Sequence, residues 1–429
     1  MKKISISSSL FKENRKRLLS LMMKNSAAVI NSNDILPSNA DGTMKFKQNS
    51  DLFYLTGIQQ EETILLLNPG NKNEDYREIL FIRDHNPDLE VWEGKKLSLQ
   101  LASEISGVKT VFELSRFKDA LHDVMCSVEN IYLNTNDHDR ARNIVESRDV
   151  RFINYCKKYY PLHSYNRLSP LVYSLRAVKS KEEIELLRKA CDITGDGFRR
   201  LLKCVKPGMM EYEIEAELAY EYIRQGSGFA DYEPIIASGE NACFLHYIKN
   251  DDPCNEGEVL LLDVAAGWAN YNADMTRSIP VSGRFTQRQK DVYSSVLRAM
   301  RGTINEMKPG KTVKDIIMIT RELLAKELVD LKLLKPADVK DVKNKSAEFK
   351  KYYPHDVSHF LGLGVHDVGV FDEPVRAGMV LTCEPGIYIR EEKLGIRLEN
   401  DILITEDGNH DFMANVPVEA DEIESLMNS

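Results

Sequence analysis

The sequence predicts an α/β N-terminal domain, residues 1–174, followed by an α+β domain, residues 175–429, built from a duplicated helix pair and antiparallel sheet. Three observations lead there. Short apolar runs alternate with helix-like stretches in the first third. The pattern changes around Ser169-Pro170-Leu171-Val172. Beyond it, a helix, a Lys-Pro-Gly turn and a second helix occur in that order twice.

Length agrees with this division, since 429 residues correspond to two or three domains. The expected strands of the first domain are 27–30, 63–67, 79–82 and 131–133, with helices near 98–105 and 116–124. From Ser180 a new helix begins. Ser180-Lys181-Glu182-Glu183 has the spacing of a capping box, and apolar residues follow at Ile184, Leu187, Cys191 and Ile193. A helix-like stretch then leads to Lys206-Pro207-Gly208 and a helix over 212–224. A stretch over 286–305 leads to Lys308-Pro309-Gly310 and a helix over 313–327. The two turns are 102 residues apart. Pro-Gly punctuation between helices is common by itself. Duplication is the stronger reading because β-rich, carboxylate-bearing sequence follows each pair.

Composition narrows the class of function. Hydrophobic residues make up 43% and charged residues 29%, the balance of a globular protein. There are 66 acidic against 57 basic residues, for a formal net charge of −9. That disfavours nonspecific nucleic-acid or anionic-membrane binding. Seven scattered cysteines with no Cys-x-x-Cys pair fit neither a disulfide framework nor a thiolate zinc site. A reducing cytoplasm is expected. The charged N-terminus does not read as a signal peptide, and no apolar stretch is long enough to span a membrane.

The chemistry lies in the second domain. Glu258-Val259-Leu260-Leu261-Leu262-Asp263-Val264-Ala265-Ala266 reads as a buried-strand run with one carboxylate, Asp263, inside it. If the following hairpin turns at Trp268 and Ala269, Asp263 faces Asp274 across the strands. Two such carboxylates repel unless a cation joins them. In the second half, a turn centred on Glu391 and Glu392 sets Glu384 against Glu399. Between the halves, His355, His359 and His366 lie in one glycine-punctuated segment. Four carboxylates and a histidine form an oxygen-rich set suited to hard or borderline divalent ions. Because carboxylates bridge, the set suits two metals sharing a water, the chemistry of amide hydrolysis.

In this order and context, Asp263, Asp274, His359, Glu384 and Glu399 resemble the metal ligands of the pita-bread metallopeptidases. The segments Ser238-Gly239-Glu240-Asn241, Val365-His366-Asp367-Val368-Gly369 and Gly395-Ile396-Arg397-Leu398-Glu399-Asn400-Asp401 support the likeness. Lys47-Gln48-Asn49-Ser50-Asp51-Leu52-Phe53-Tyr54-Leu55-Thr56-Gly57 is similar to the N-terminal domain signature of the aminopeptidase P (Xaa-Pro aminopeptidase) family. The resemblance implies an aminopeptidase that cleaves before a penultimate proline. It implies two divalent metal ions, manganese first, with cobalt, iron or zinc as alternatives. Asp274, His359 and Glu384 would hold one metal and Asp263 the other, with Glu399 bridging. Glu384 would be the general base. His246 and His366 would stabilise the tetrahedral intermediate and serve the leaving nitrogen, and Arg397 would support a ligand carboxylate.

Tyr232, Tyr388 and His355 correspond to pocket positions, with plain packing as the alternative for each. Asp51 resembles an N-domain residue near substrate. Trp92 resembles a tryptophan that reaches a neighbouring subunit's site, which implies a homodimer or homotetramer; local packing is its alternative. Proline gives a reason for a dedicated enzyme, since its peptide nitrogen has no N–H for an ordinary peptidase to grip. Competing expectations are a prolidase acting on Xaa-Pro dipeptides and an inactive pita-bread protein that binds partners. The lysines between 332 and 351 are interspersed with acids and read as a solvated insertion.

Overall fold

The computed structural model describes residues 6–135, 137, 144–342 and 346–429. Residues 1–5 of the charged N-terminus, together with Lys343 and Lys345 of the lysine-rich segment, lie outside them. The chain forms two compact units, Ile4–Arg176 and Ala177–Ser429. Among the described residues no helix is long and apolar enough to cross a membrane.

The first unit is a six-stranded mixed sheet flanked by helices. Its strands are β1 (Ser26–Asn31), β2 (Ile64–Leu67), β3 (Glu78–Ile82), β4 (Thr110–Glu113), β5 (Asn130–Leu133) and β6 (Ser164–Arg167). They lie in the order β4-β3-β2-β1-β5-β6. β1 pairs antiparallel with β2 and parallel with β5. It is buried along its whole length, which is why it reads as an unbroken run of small and apolar residues. All four expected strands are present, and the expected helices are found at Leu99–Ser106 and Phe117–Met125. The helix Ser8–Leu21 was not anticipated. Its Arg15 is fully buried and donates to Glu78 and to the carbonyls of Leu55 and Ser106. A polar residue serving as core hides the apolar stripe by which a helix is recognised.

The second unit begins with the helix Lys181–Cys204, and its capping box is formed reciprocally by Ser180 and Glu183. The helix Glu211–Arg224 follows, and the pair Gln287–Glu306 and Val313–Asp330 repeats the arrangement. The two turns match in detail. Gly208 and Gly310 have φ of 89° and 90°, the left-handed region where a side chain is strained. Gly208 N–H donates to the Cys254 carbonyl, and Gly310 N–H donates to that of Val375. Each turn is thus pinned by the same kind of bond to a strand-entry segment of its own half.

Each half then contributes strands. The first half has β7 (Gly228–Phe229), β8 (Ile235–Ser238), β9 (Val259–Asp263), β10 (Ala266–Trp268), β11 (Tyr271–Asn272) and β12 (Thr276–Pro280). The second has β13 (Val380–Cys383), β14 (Gly386–Ile389), β15 (Leu394–Arg397), β16 (Asn400–Ile404) and β17 (Asn409–Asp411). All pairings in this unit are antiparallel. The halves meet where Glu399 N–H donates to the Thr276 carbonyl, at 3.0 Å.

The first hairpin corrects one expectation. Its tip is Ala269-Asn270, not Trp268-Ala269, and Asp263 pairs with Thr276. Both tip residues have positive φ, 53° and 67°, as a two-residue turn that follows strand twist requires. The register is displaced by two residues. A one-residue slip would invert every side chain, whereas two residues preserve the face. Asp274 therefore stays on the side of Asp263, diagonal to it. In the second half the expected register holds. Cys383 pairs with Asn400 and Gly386 with Arg397, so Glu384 and Glu399 face one another between them.

Candidate active site

The strand ends of the second unit bring five ligand-type side chains together. Asp263 closes β9, Asp274 lies just before β12, Glu384 follows β13 and Glu399 precedes β16. His359 is tied to β13 by a reciprocal pair of bonds with Thr382. Ligand atoms of Asp274, His359 and Glu399 lie within 4.8 Å of one another. His359 Nε2 is 3.5 Å from Asp274 Oδ2 and 3.7 Å from Glu384 Oε1. Its Nδ1 is 3.1 Å from the Phe360 carbonyl. That contact places the proton on Nδ1 and turns the Nε2 lone pair toward the carboxylates, as a metal-ligating imidazole requires.

Arg397 organises the other edge. It is 4% exposed and donates from Nη2 to Asp263 at 2.6 Å, from Nη1 to the Tyr388 hydroxyl at 2.9 Å, and from Nε to Thr276 Oγ1 at 3.0 Å. Thr276 Oγ1 in turn donates to Glu399 at 2.6 Å. One guanidinium thus orients two carboxylates, one directly and one through a hydroxyl. The other oxygen of Asp263, Oδ1, is buried with no hydrogen-bond partner among the described residues.

This cluster strains its own charges. Burial first, and the Asp263 charge second, hold the Asp274 carboxyl well above the usual carboxylate range. Burial, then Asp274 and Glu384, do the same to Glu399. Glu384 is pushed up to about 7, chiefly by burial, with His359 and Arg397 pulling the other way. Desolvated carboxylates at such spacing, an unpartnered Asp263 oxygen and an oriented imidazole fit divalent cations well. The oxygen-rich donor set, with no cysteine in it, suits a hard or borderline divalent cation.

The remaining sequence-derived positions divide into three groups. Tyr232, His355 and Tyr388 adjoin the cluster. The Tyr232 hydroxyl is buried, and burial followed by the charge of Asp263 holds it well above the usual phenol range. Tyr388 links Arg397 to His355, whose Nε2 is 2.8 Å from the hydroxyl. His246 and His366 are solvent-exposed. His366 packs edge-on against His359, with ring centroids 4.4 Å apart, while His246 makes no hydrogen bond among the described residues. Asp51 and Trp92 belong to the first unit. Asp51 is buried and both its oxygens are taken there, by Arg176 and Asn134 at 2.6 Å each. Trp92 is 85% exposed on the short helix Pro87–Glu93.

Sequence reasoning missed two residues. Thr276 carries the Arg397 contact on to Glu399. Asp401, fully buried, accepts the Asp274 backbone N–H at 3.0 Å and fixes that residue's main chain. A cavity of about 910 Å³ in the first unit, lined by Lys24, Tyr76, Phe112 and Arg116 among others, contains none of the residues singled out for chemistry.

Comparison with known proteins places this geometry. Residues 185–406 match the family model for metallopeptidase family M24, and residues 11–132 match that for the aminopeptidase P N-terminal domain. The chain is 34% identical to a Xaa-Pro aminopeptidase of Haemophilus influenzae, covering 97% of both chains. It is 33% identical to the Xaa-Pro aminopeptidase of Escherichia coli over the same shares. Among solved structures, aminopeptidase P from E. coli with the inhibitor Pro-Leu superposes with a TM-score of 0.89, at 31% identity and 99% coverage of both chains.

Proposed function

The chain belongs to metallopeptidase family M24, and on that premise we propose that it removes the N-terminal residue from peptides whose second residue is proline. It is a metal-dependent aminopeptidase with an N-terminal domain of the aminopeptidase P type. The observation that carries the proposal is the buried cluster of Asp274, His359 and Glu399, with Asp263 and Glu384 beside it. These five residues would hold two divalent ions, manganese by donor chemistry. Bound there, the ions supply Lewis-acid polarisation of the scissile carbonyl and a water of lowered pKa.

The protein's own groups do the rest. Glu384 is the most open of the ligand carboxylates, its side chain 20% exposed, so water can reach it. It accepts the proton of the attacking water as general base. His246 and His366 are both exposed, where substrate can meet them. They donate to the oxyanion of the tetrahedral intermediate and pass a proton to the proline nitrogen as it leaves. Arg397 keeps Asp263 and, through Thr276, Glu399 oriented. Tyr232, His355 and Tyr388 wall the pocket that receives the substrate.

Trp92, exposed as it is, is proposed to reach the active site of a neighbouring subunit in a homodimer or homotetramer, and Asp51 to be an N-domain residue near the substrate. Seven free cysteines support a cytoplasmic location. The test is turnover of a tripeptide with proline second, beside the corresponding Xaa-Pro dipeptide, by manganese-loaded protein. Release of the first residue from the tripeptide supports the proposal. Cleavage of the dipeptide alone would make the protein a prolidase.

A further inference from the structure

We propose that Lys179 is a positioning residue for turnover, acting through Asp367 on His366. This rests on the reading above that His366 meets the substrate.

Lys179 directly precedes the Ser180 cap of the helix Lys181–Cys204. A helix N-terminus carries partial positive charge, so a lysine there does nothing for the helix. Its side chain is nonetheless only 1% exposed, and Nζ lies 3.5 Å from Asp367 Oδ2, itself 2% exposed. Ions so deeply buried are retained at a cost in desolvation, and losing one partner leaves the other stranded. The lysine backbone is pinned as well, its N–H donating to the Gly378 carbonyl at 2.8 Å.

Asp367 is held just as tightly. Its N–H donates at 2.8 Å to the Phe360 carbonyl, the group that His359 Nδ1 also contacts. Its carboxylate lies against Gly362, where an added Cβ would stand 2.1 Å from Oδ2 and 3.0 Å from Lys179 Cε. Only glycine admits the pair at that point. The Gly362 carbonyl is fixed in turn by the Asn272 N–H at 2.9 Å. The ion pair therefore holds the Asp367 end of the segment 360–367 against Gly362, while the Asp367 N–H ties that end back to Phe360. One peptide bond from Asp367, His366 is exposed, with its ring 4.4 Å from that of His359. Release of the clamp moves His366 first, and a displacement of about 1 Å at such a group can cost about 100-fold in rate.

The experiment is a double-mutant cycle on the manganese-loaded enzyme, using Lys179→Met, His366→Ala and both together. Metal content and the thermal midpoint are measured alongside kcat and KM. Lys179→Met is expected to lower kcat by about 10- to 100-fold with KM and bound metal unchanged. In the His366→Ala background it should have almost no further effect, because the group it positions is gone. The same loss in both backgrounds, or a loss explained by missing metal, overturns the inference. If His366→Ala is itself as active as the unaltered enzyme, the reading of His366 has failed instead. Should Lys179→Met not fold, Asp367→Asn keeps the shape, removes the charge and completes the same cycle.

Discussion

Acidification should strip the metals from this protein in a way the site geometry predicts. The perturbation is a pH change from 7.5 to 5.5. Metal ligation needs ionised carboxylates, and the surroundings of Glu384 place its carboxyl near 7. The ionised fraction then falls from about three-quarters to about 3%, so Glu384 alone weakens apparent metal affinity about 25-fold. Asp274 and Glu399, raised by burial and by their neighbours, steepen that dependence. Metal-free protein should move the opposite way. An unfolded chain ionises at ordinary carboxylate pKa values, whereas these native carboxyls hold their protons longer. Stability of the metal-free form is therefore full below the unfolded value and is lost as pH rises through about 7, by roughly 3 kcal/mol for Glu384. The assays are titration calorimetry with Mn2+ in buffers of different ionisation enthalpy, and thermal melts with and without chelator from pH 5 to 8. Proton release on binding, and a gap between the two melting curves that widens with pH, are expected. Metal affinity flat across that range, with no proton release, would refute the reasoning.

Three further expectations follow from single contacts. Glu384→Ala should abolish turnover and weaken metal binding, checked by steady-state kinetics and metal analysis. Arg397→Met strands Asp263 and breaks the path through Thr276 to Glu399; a loss of about 3–5 kcal/mol in folding stability and about 10- to 100-fold in metal affinity is expected from denaturant melts and metal titration. Gly208→Ala and Gly310→Ala meet open space, so each should cost only backbone strain, about 1 kcal/mol or somewhat more, and about equally in thermal melts of the two variants. A marked inequality would contradict the matched geometry of the two halves.

The carboxylate cluster is legible in the sequence chiefly because Asp263 and Glu384 each lie in an otherwise apolar strand run. Asp263 after Leu260-Leu261-Leu262 has no ordinary reason to be there. The hairpin register was misread because Asn270, a residue tolerant of left-handed backbone, marked the turn more truly than its aromatic neighbour. The error spared the site because its size was even. Thr276 and Asp401 escaped notice for a different reason. A threonine in a strand is unremarkable by type, and its role arises only where the two halves meet through Glu399 and Arg397. Asp401 touches Asp274 across a sequence separation of 127 residues, which no local pattern encodes. The same holds for the helix Ser8–Leu21, whose buried Arg15 takes partners from 40 to 91 residues away.

The most direct test of the central claim is product analysis of a tripeptide with proline in second place, incubated with manganese-loaded protein. The account predicts free first residue and an intact proline-led dipeptide in equal amounts, with both lost on chelation and restored by Mn2+. An intact tripeptide after incubation with protein shown to carry its metals would contradict it.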